Sequence, residues 1–318
     1  MKTAIVTGVA GFIGSHLAEK LLEEKFKVIG IDSFTNYYSK TIKENNIKQC
    51  LKNKEFFLLK QDLMNLDLVP IFKKAQNLFH LAAQPGVRAS WGTEFDVYVK
   101  NNILVTQKIL ESAKITRSLK KIVIASSSSV YGNQKGKMNE EKTYPKPISP
   151  YGTTKLATEN LGLLYHTNFA LPVIMLRYFT VYGPRQRPDM AFNRFINAVL
   201  TKNKITVFGA GNQTRDFTYI DDVVSATLSA LEGQLDGEVI NIGGGHIITI
   251  NQVLDLLKTI ANNEIKVLYQ KEQKGDVKHT QADISKAKKL LNYRSKTQIN
   301  SGLQNEFNYI KKNLHNKA

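Results

Sequence analysis

The chain has 318 residues, of which 42% are hydrophobic and 22% charged, a composition typical of a soluble folded protein with one large core or two unequal ones. No apolar run approaches the ~20 residues that a membrane-spanning helix requires. The single cysteine, Cys50, excludes an internal disulfide, and the six histidines show no spacing typical of metal ligands. We therefore expect a cytoplasmic protein with neither a structural metal nor a membrane partner.

The formal charge of +17 raises the question of a nucleic-acid partner. The basic residues are spread along the chain without a long block, and aromatic residues do not alternate with them, which argues against nucleic-acid binding. The alternative is a set of solvated lysines whose field attracts an anionic small molecule. We favour this alternative.

The first half of the chain alternates short β-branched runs with helical patterns, beginning with a strand at 3–7 and a helix at 14–23. Such alternation predicts an α/β fold with a parallel sheet covered by helices. Further strands are predicted at 27–32, 56–60, 78–82, 121–126, 173–177 and 238–242.

Three glycines, Gly8, Gly11 and Gly14, connect the first strand to the first helix. Glycines in this context allow a tight turn and close approach of a pyrophosphate, and the helix N-terminus favours negative charge. Asp32 ends the second strand 18 residues after Gly14, where a carboxylate can accept both adenosine ribose hydroxyls and repel a 2′-phosphate. The pattern predicts NAD rather than NADP. The alternative is a structural turn with a surface aspartate.

Tyr151 and Lys155 are four residues apart at the start of a helical pattern that continues to Tyr165. At this spacing the two side chains share a helix face, so the ammonium can lower the pKa of the phenol and let it act as a base. The pair alone is weak, but a hydroxyl cluster at 126–129 follows a predicted strand, where open α/β sheets place their sites. These features predict redox chemistry assisted by a tyrosine.

Arginine is scarce in this chain and unevenly placed. Only eight of the 44 basic residues are Arg, and four of the eight lie between Arg177 and Arg194. Because a guanidinium is a planar, forked donor, this segment is predicted to bind phosphate or carboxylate. Chance clustering or packing in the core is the alternative.

Taken together, these motifs resemble the extended short-chain dehydrogenase/reductase family of NAD-dependent nucleotide-sugar epimerases and dehydratases, over essentially the whole chain. The resemblance rests on the glycine loop, on Tyr151 and Lys155, and on segments at 79–83, 125–132, 177–179, 206–209, 215–219 and 282–287. It implies a Rossmann-type doubly wound parallel sheet formed by residues 1–180 with about 216–248. A smaller, interleaved C-terminal substrate domain is expected at about 181–215 and 249–318.

The resemblance also implies the roles of individual residues. Tyr151 is the expected base, Ser127 binds the reacting sugar oxygen, and Lys155 also holds the nicotinamide ribose. Asp62 and Leu63 are placed to meet the adenine edge, although an aspartate after a strand is commonly a helix cap. Further residues expected around NAD are Phe12, Ile13, Leu81, Ala82, Ala83, Asn101, Ser126, Tyr178 and Phe179. Residues expected around the substrate are Gln84, Arg88, Ser128, Thr180, Arg185 and Arg187. Val207 and Phe208 are expected at the uracil and Arg215 at the diphosphate.

Two features favour one reaction within this family. Dehydratases carry Asp-Glu after the catalytic serine and UDP-glucuronate decarboxylases carry Glu, whereas this chain has Ser128 and Ser129, which favours simple oxidation and re-reduction at C4. The segments 177–191, 84–88 and 32–38 are similar to those of UDP-glucuronate 4-epimerases, and UDP-glucose epimerases usually carry Asn where Thr180 stands.

We therefore expect conversion of UDP-glucuronate to UDP-galacturonate through a 4-keto intermediate that rotates before re-reduction. Arg187 with Thr180 is the expected clamp for the C6 carboxylate, and Arg88 and Arg185 are rival candidates. The alternatives are a UDP-glucose or UDP-N-acetylglucosamine 4-epimerase, a UDP-glucuronate decarboxylase, and an NAD-binding regulator without catalysis. A homodimer is expected because the helical segments 97–114 and 151–165 resemble the pair that forms a four-helix contact in this family.

Overall fold

The computed structural model describes residues 1–315 of the chain. Its strands are β1 (Thr3–Thr7), β2 (Lys27–Ile31), β3 (Phe56–Leu59), β4 (Asn77–His80), β5 (Lys121–Ser127), β6 (Val173–Tyr178), β7 (Val181–Tyr182), β8 (Ile205–Phe208), β9 (Thr214–Asp216), β10 (Thr218–Tyr219), β11 (Val239–Ile242), β12 (Ile247–Thr249) and β13 (Val267–Gln270). Its α-helices are α1 (Phe12–Glu23), α2 (Lys40–Asn46), α3 (Val69–Phe72), α4 (Phe95–Tyr98), α5 (Val105–Thr116), α6 (Pro150–Phe169), α7 (Ala191–Leu200), α8 (Ile220–Ser229), α9 (Ile250–Ala261), α10 (Ser285–Leu291) and α11 (Ile299–His315).

A seven-stranded parallel sheet forms the centre, in the order β11-β6-β5-β4-β1-β2-β3. The strand order reverses between β4 and β1, and ligands of open α/β sheets bind in the crevice at such a point. Every residue of β4 and of β6 is buried, as expected for a parallel sheet covered by helices on both faces. The predicted Rossmann-type fold is confirmed.

The predicted strands agree with the structure to within two residues, but one predicted helix is interrupted. The segment expected as a helix at 97–114 consists of α4, a π-helical stretch at Val99–Leu104, and α5. The buried Asn102 lies within this stretch, and its amide bonds both the backbone of Gln84 and the hydroxyl of Thr154. Wider turns of this kind are frequent at functional sites. Here the turn fixes the segment that follows β4 against α6.

The chain after β6 builds a second group of elements and then returns to the central sheet. β8 pairs with β13 in a separate two-stranded parallel sheet, and α11 packs against α7 and α9. β9 pairs with β12, whereas β11 joins the edge of the central sheet next to β6. Residues from early and late segments therefore alternate around the cleft between these two groups.

Three further features concern the described residues as a whole. None of the helices within residues 1–315 is both long and apolar enough to cross a bilayer. In the same range, no three His, Cys, Asp or Glu side chains are grouped so that they could hold a metal ion. The thiol of Cys50 is buried in the apolar core behind the glycine loop, and burial raises its pKa to about 12.

Candidate active site

One cavity of about 960 Å³ lies at the carboxyl ends of the central strands and extends toward β8. The glycine loop, the ends of β4 and β5 and the start of α6 line one side, and the segment 187–191 with β8 lines the other. All sequence-predicted site residues except Arg185 line this cavity. The structure thus brings the predicted cofactor, catalytic and substrate residues together, while their individual roles stay predictions.

The glycine loop leaves no room for side chains. Gly8 has a φ of +69°, and a Cβ there would lie 2.8 Å from the backbone nitrogen of Ala82. A Cβ at Gly14 would lie 2.2 Å from the carbonyl oxygen of Gly8. Helix α1 begins at Phe12 directly after Gly11, so its first amides face the cavity end of the loop. This cradle of backbone fits a pyrophosphate.

A buried chain of neutral groups supports the segment 81–83, which is predicted to line NAD. The hydroxyl of Thr7 accepts hydrogen bonds from the backbone amides of Leu81 and Ala82 at 3.2 and 3.1 Å. The same hydroxyl lies 2.8 Å from Nδ1 of His80, whose Nε2 contacts the hydroxyl of Thr106. Burial, with the charge of Lys155, lowers the pKa of His80 to about 3, so the imidazole is neutral at ordinary pH.

Asp32 is held in place at the end of β2. Its Oδ2 accepts from the amide of Ala10 at 3.0 Å and its Oδ1 from the amide of Phe34 at 2.8 Å. Burial raises the pKa of Asp32, and these two donors and the charge of Lys43 offset part of the rise. Lys43 also lines the cavity and donates to the carbonyl of Thr35. It is a cation at the adenosine end that the sequence motifs did not reveal.

The tyrosine and lysine predicted to be catalytic occupy the first turns of α6. Ser149 caps this helix by accepting from the amide of Gly152, and Pro150 fills its first position. Burial raises the pKa of Tyr151, and the adjacent Ser127 hydroxyl and the charge of Arg187 offset only part of the rise. Lys155 is not among the groups that lower this pKa, because its ammonium donates to the carbonyl of Ala125, and the cost of burying a phenolate dominates.

Side chains of α6 bind two consecutive positions of β5, directly before Ser127, the residue predicted to bind the reacting sugar oxygen. The ammonium of Lys155 donates to the carbonyl of Ala125 at 2.8 Å, and burial lowers its pKa to about 8. One turn later, Glu159 accepts from the hydroxyl of Ser126 and from Arg177, whose Nη2 lies 2.7 Å away. The side chains of Ser126, Lys155, Glu159 and Arg177 are all buried, so these bonds fix the end of β5 against α6.

At the far end of the cavity, β8 presents the predicted uracil site. The guanidinium of Arg88 stacks over the ring of Phe208 at 4.2 Å, and its Nη2 pairs with Asp276 at 2.7 Å. Arg215 lines the same end and lies within the field of both Arg88 and Asp276. Arg88 therefore lies with the predicted nucleotide contacts, and this placement weakens it as a rival for the sugar carboxylate.

Arg187 lies near Tyr151, the predicted base. Its charge acts on Tyr151, and its Nε and Nη2 donate to the two carboxylate oxygens of Asp189 at 3.0 and 2.9 Å. The hydroxyl of Tyr37 donates to the same carboxylate at 3.2 Å. Thr180 also lines the cavity, so both members of the predicted clamp face the same space.

Arg185 is placed elsewhere, and the structure contradicts its prediction as a substrate residue. It does not line the cavity, because its Nη2 binds both oxygens of Glu19 on α1 at 2.8 and 2.9 Å. Its backbone adopts a φ of +68°, which turns the side chain toward Ser15. Arg185 instead joins the segment after β7 to α1.

Six cavity residues were not predicted individually as site residues, although Tyr37, Asp189 and Arg194 lie within segments that the sequence motifs include. Each of them pairs with or faces a predicted site residue. These residues are Tyr37, Lys43, Asp189, Arg194, Gln213 and Asp276.

Comparisons with known proteins agree with this site. The family profile described as GDP-mannose 4,6 dehydratase matches residues 5–306. A UDP-glucuronate 4-epimerase of Thermodesulfobacterium geofontis is 42% identical over 314 residues, which cover 98% of this chain and 96% of the relative. YtcB of Bacillus subtilis, named an uncharacterized UDP-glucose epimerase, is 44% identical over 308 residues, 96% of this chain and 97% of YtcB.

Among solved structures, UDP-glucuronic acid 4-epimerase of Bacillus cereus, in complex with UDP-glucuronic acid and NAD, superposes with a TM-score of 0.95. The two sequences are 46% identical, and the alignment covers 98% of this chain and 99% of the other. The chain therefore belongs to the extended short-chain dehydrogenase/reductase family of nucleotide-sugar epimerases and dehydratases.

Proposed function

We propose that this protein is an NAD-dependent 4-epimerase that interconverts UDP-glucuronate and UDP-galacturonate. The observation that carries the proposal is a forked cation, Arg187, next to the catalytic Tyr151 in a cavity that also contains a glycine cradle. The relative at 42% identity and the solved structure at 46% identity are UDP-glucuronate 4-epimerases, whereas YtcB, at 44%, is named an uncharacterized UDP-glucose epimerase. The cavity favours the acidic sugar.

The glycine loop, Asp32 and Lys155 are the residues that would hold NAD. A Cβ at Gly8 would collide with the backbone of Ala82 and one at Gly14 with that of Gly8, so glycine is needed at both positions to keep the loop in the tight shape that suits a pyrophosphate. NAD, when bound, supplies reversible acceptance of the hydride from C4 of the sugar. Asp32 has two backbone donors and one further lone pair on each oxygen, which suits acceptance from ribose hydroxyls.

The protein's own residues move the proton and hold the sugar. Tyr151 removes the proton of the C4 hydroxyl as the carbon becomes a ketone and returns it after the ring has turned over. Ser127 binds the same oxygen, and its own hydroxyl accepts from the amide of Ser129, which fixes its orientation. Burial raises the pKa of Tyr151, and the hydrogen bond with the Ser127 hydroxyl offsets part of this rise, which favours the ionised phenol that a base requires.

The carboxylate must be held during this reaction. Oxidation at C4 makes the acidic sugar a β-keto acid, which loses CO2 when the bond between C5 and C6 aligns with the carbonyl π system. Arg187 and Thr180 can hold the carboxylate out of this alignment. Ser128 and Ser129 add no acid or base beyond the hydroxyl cluster, which favours epimerisation over dehydration and decarboxylation.

Incubation with UDP-glucuronate and, separately, with UDP-glucose tests the proposal. NMR of the C4 proton should show UDP-galacturonate forming from the acidic sugar at a kcat/KM well above that for UDP-glucose. Equal efficiency with both sugars would favour the UDP-glucose epimerase alternative. No turnover of either sugar by protein that retains NAD would favour the regulator.

We further propose that the protein retains NAD through the cycle, because each turnover regenerates it. Heat-denatured protein should release NAD or NADH in about equimolar amount. Protein that purifies without either, and that turns over only with added NADP, would contradict the role of Asp32.

A homodimer and a two-domain division complete the proposal. Helices α5 and α6 pack side by side. Leu104, just before α5, is 46% exposed and Leu164, on α6, is 57% exposed, as expected for a face that a second subunit covers. Light scattering at micromolar concentration should give twice the monomer mass. The division into 1–180 with about 216–248, and about 181–215 with 249–318, is supported by the separate β8–β13 sheet.

A further inference from the structure

The guanidinium assigned to the sugar carboxylate already binds a carboxylate of the protein. Arg187 donates through Nε and Nη2 to the two oxygens of Asp189, at 3.0 and 2.9 Å. Tyr37 adds a third donor to this carboxylate at 3.2 Å. An acidic sugar that binds Arg187 in the same forked manner must therefore exchange with Asp189.

This ion pair lines the cavity between two distant parts of the chain. Tyr37 comes from the segment after β2, close to Asp32, whereas Arg187 and Asp189 precede α7. The hydroxyl of Tyr37 also packs against Gly86, where a Cβ would lie 2.5 Å from its oxygen. Tyr37 therefore links the Arg187–Asp189 pair to the adenosine side of the cavity and to the segment that follows β4.

The two partners differ in their access to water. The side chain of Asp189 is 38% exposed, whereas that of Arg187 is 20% exposed. A released Asp189 carboxylate can hydrate at the surface, but an Arg187 left without a carboxylate would stay a partly buried, uncompensated charge. Because a neutral sugar brings no carboxylate, nothing compensates Arg187 if the pair opens.

We propose that Asp189 is a specificity-determining residue: a competing carboxylate that an acidic sugar replaces on Arg187 and that a neutral sugar leaves in place. This inference rests on the proposed function. The competing explanation is that Asp189 only aligns Arg187 for the substrate. The two explanations predict opposite signs when the carboxylate of Asp189 is removed.

The test compares binding of UDP-glucuronate and UDP-glucose to NAD-loaded protein by calorimetry. The preference for UDP-glucuronate is the dissociation constant of UDP-glucose divided by that of UDP-glucuronate. Asp189→Asn removes the competing charge but keeps the shape of the side chain, so this preference should rise about fivefold, which corresponds to the contribution of one partly exposed ion pair. Tyr37→Phe removes only one donor to Asp189 and should raise the preference in the same direction by less. An unchanged or reduced preference in Asp189→Asn would overturn the inference.

Asp276→Asn is the matched control, because Asp276 pairs with Arg88 at the nucleotide end, which both sugars share. In this variant the dissociation constants of UDP-glucuronate and UDP-glucose should change by the same factor, so the preference stays as it is in the unaltered protein. A preference raised as much as in Asp189→Asn would mean a general charge effect and would overturn the inference. Turnover of UDP-glucuronate by the unaltered protein decides the proposed function separately, because the binding ratio is measured whether or not turnover occurs.

Discussion

The two halves of the cavity are built by different means. The half predicted to hold the cofactor is built mainly from backbone and neutral groups, namely the Gly8 turn, the Thr7 hydroxyl and the neutral His80, with Asp32 and Lys43 as charged groups at its adenosine end. The half predicted to hold the sugar nucleotide is organised by two arginine–carboxylate pairs, Arg187 with Asp189 and Arg88 with Asp276.

This difference matches what each half is proposed to do in a turnover. A cofactor that stays bound needs a rigid cradle, and close-packed backbone provides one. A substrate that enters and leaves needs contacts that open easily, and partly exposed ion pairs contribute only about 0–1 kcal/mol each. The comparison teaches that charge pairs in this cavity are exchangeable contacts rather than sources of stability.

The largest expected effect comes from the point where the halves meet. Tyr151→Phe keeps the ring but removes the ionisable oxygen, so kcat should fall by about 10²- to 10⁴-fold, the usual contribution of a positioned base. The NAD content of the purified variant should be unchanged, because the cradle does not involve the phenol oxygen. Turnover close to that of the unaltered protein would remove Tyr151 from the mechanism.

A loss confined to the substrate half is expected from Arg187→Leu. Losing a charge-assisted hydrogen bond should lower kcat/KM for UDP-glucuronate by about ten- to hundredfold, with far less effect on any UDP-glucose activity. Released CO2 and a 4-keto pentose are also expected, since the carboxylate is no longer held. Arg185→Leu is the matched control, because this arginine binds Glu19 outside the cavity and its loss should not discriminate between the sugars. Equal weakening with both sugars in Arg187→Leu would assign Arg187 to the diphosphate instead.

Damage to the cofactor half should affect every sugar alike. In Gly14→Ala the new Cβ would lie 2.2 Å from the carbonyl oxygen of Gly8, a backbone atom that cannot move freely. Such overpacking typically costs about 1–3 kcal/mol of the free energy of unfolding. The purified variant should retain little NAD and lose both activities in proportion. Full NAD content would show that the loop tolerates a side chain.

A last expected effect concerns the acid stability of the cofactor half. The pKa of His80 is about 3 in the folded protein against 6.5 for the free side chain, so between these values the unfolded chain binds a proton that the folded protein excludes. The free energy of unfolding should therefore fall by about 1.4 kcal/mol per pH unit below pH 6.5 from this residue. Urea unfolding at several pH values should show a shallower slope for His80→Gln, which cannot titrate. An identical slope would mean that His80 is protonated in the folded protein.

Local sequence features predicted the cofactor half well. The strand boundaries and the glycine spacing depend on residues close together in the chain, and the structure reproduces both. The pairing of Arg185 with Glu19 joins residues 166 apart, and that of Arg88 with Asp276 joins residues 188 apart. No local pattern in the chain encodes such pairs. The sequence therefore revealed the arginine cluster but not which group each arginine binds. The rise in the pKa of Tyr151 could not be predicted locally, because its burial depends on the whole fold.

The buried Cys50 can report local opening of the structure around it. It is the one cysteine in the sequence, it is 1% exposed, and its raised pKa leaves almost no thiolate at neutral pH. An alkylating reagent can therefore reach the sulfur only when the segment between α2 and β3 detaches from α1. That segment adjoins the adenosine end, where Asn46 binds the carbonyl of Ala10 in the glycine loop. The rate of thiol modification thus measures how often the glycine loop loses its support, without any label having to be introduced.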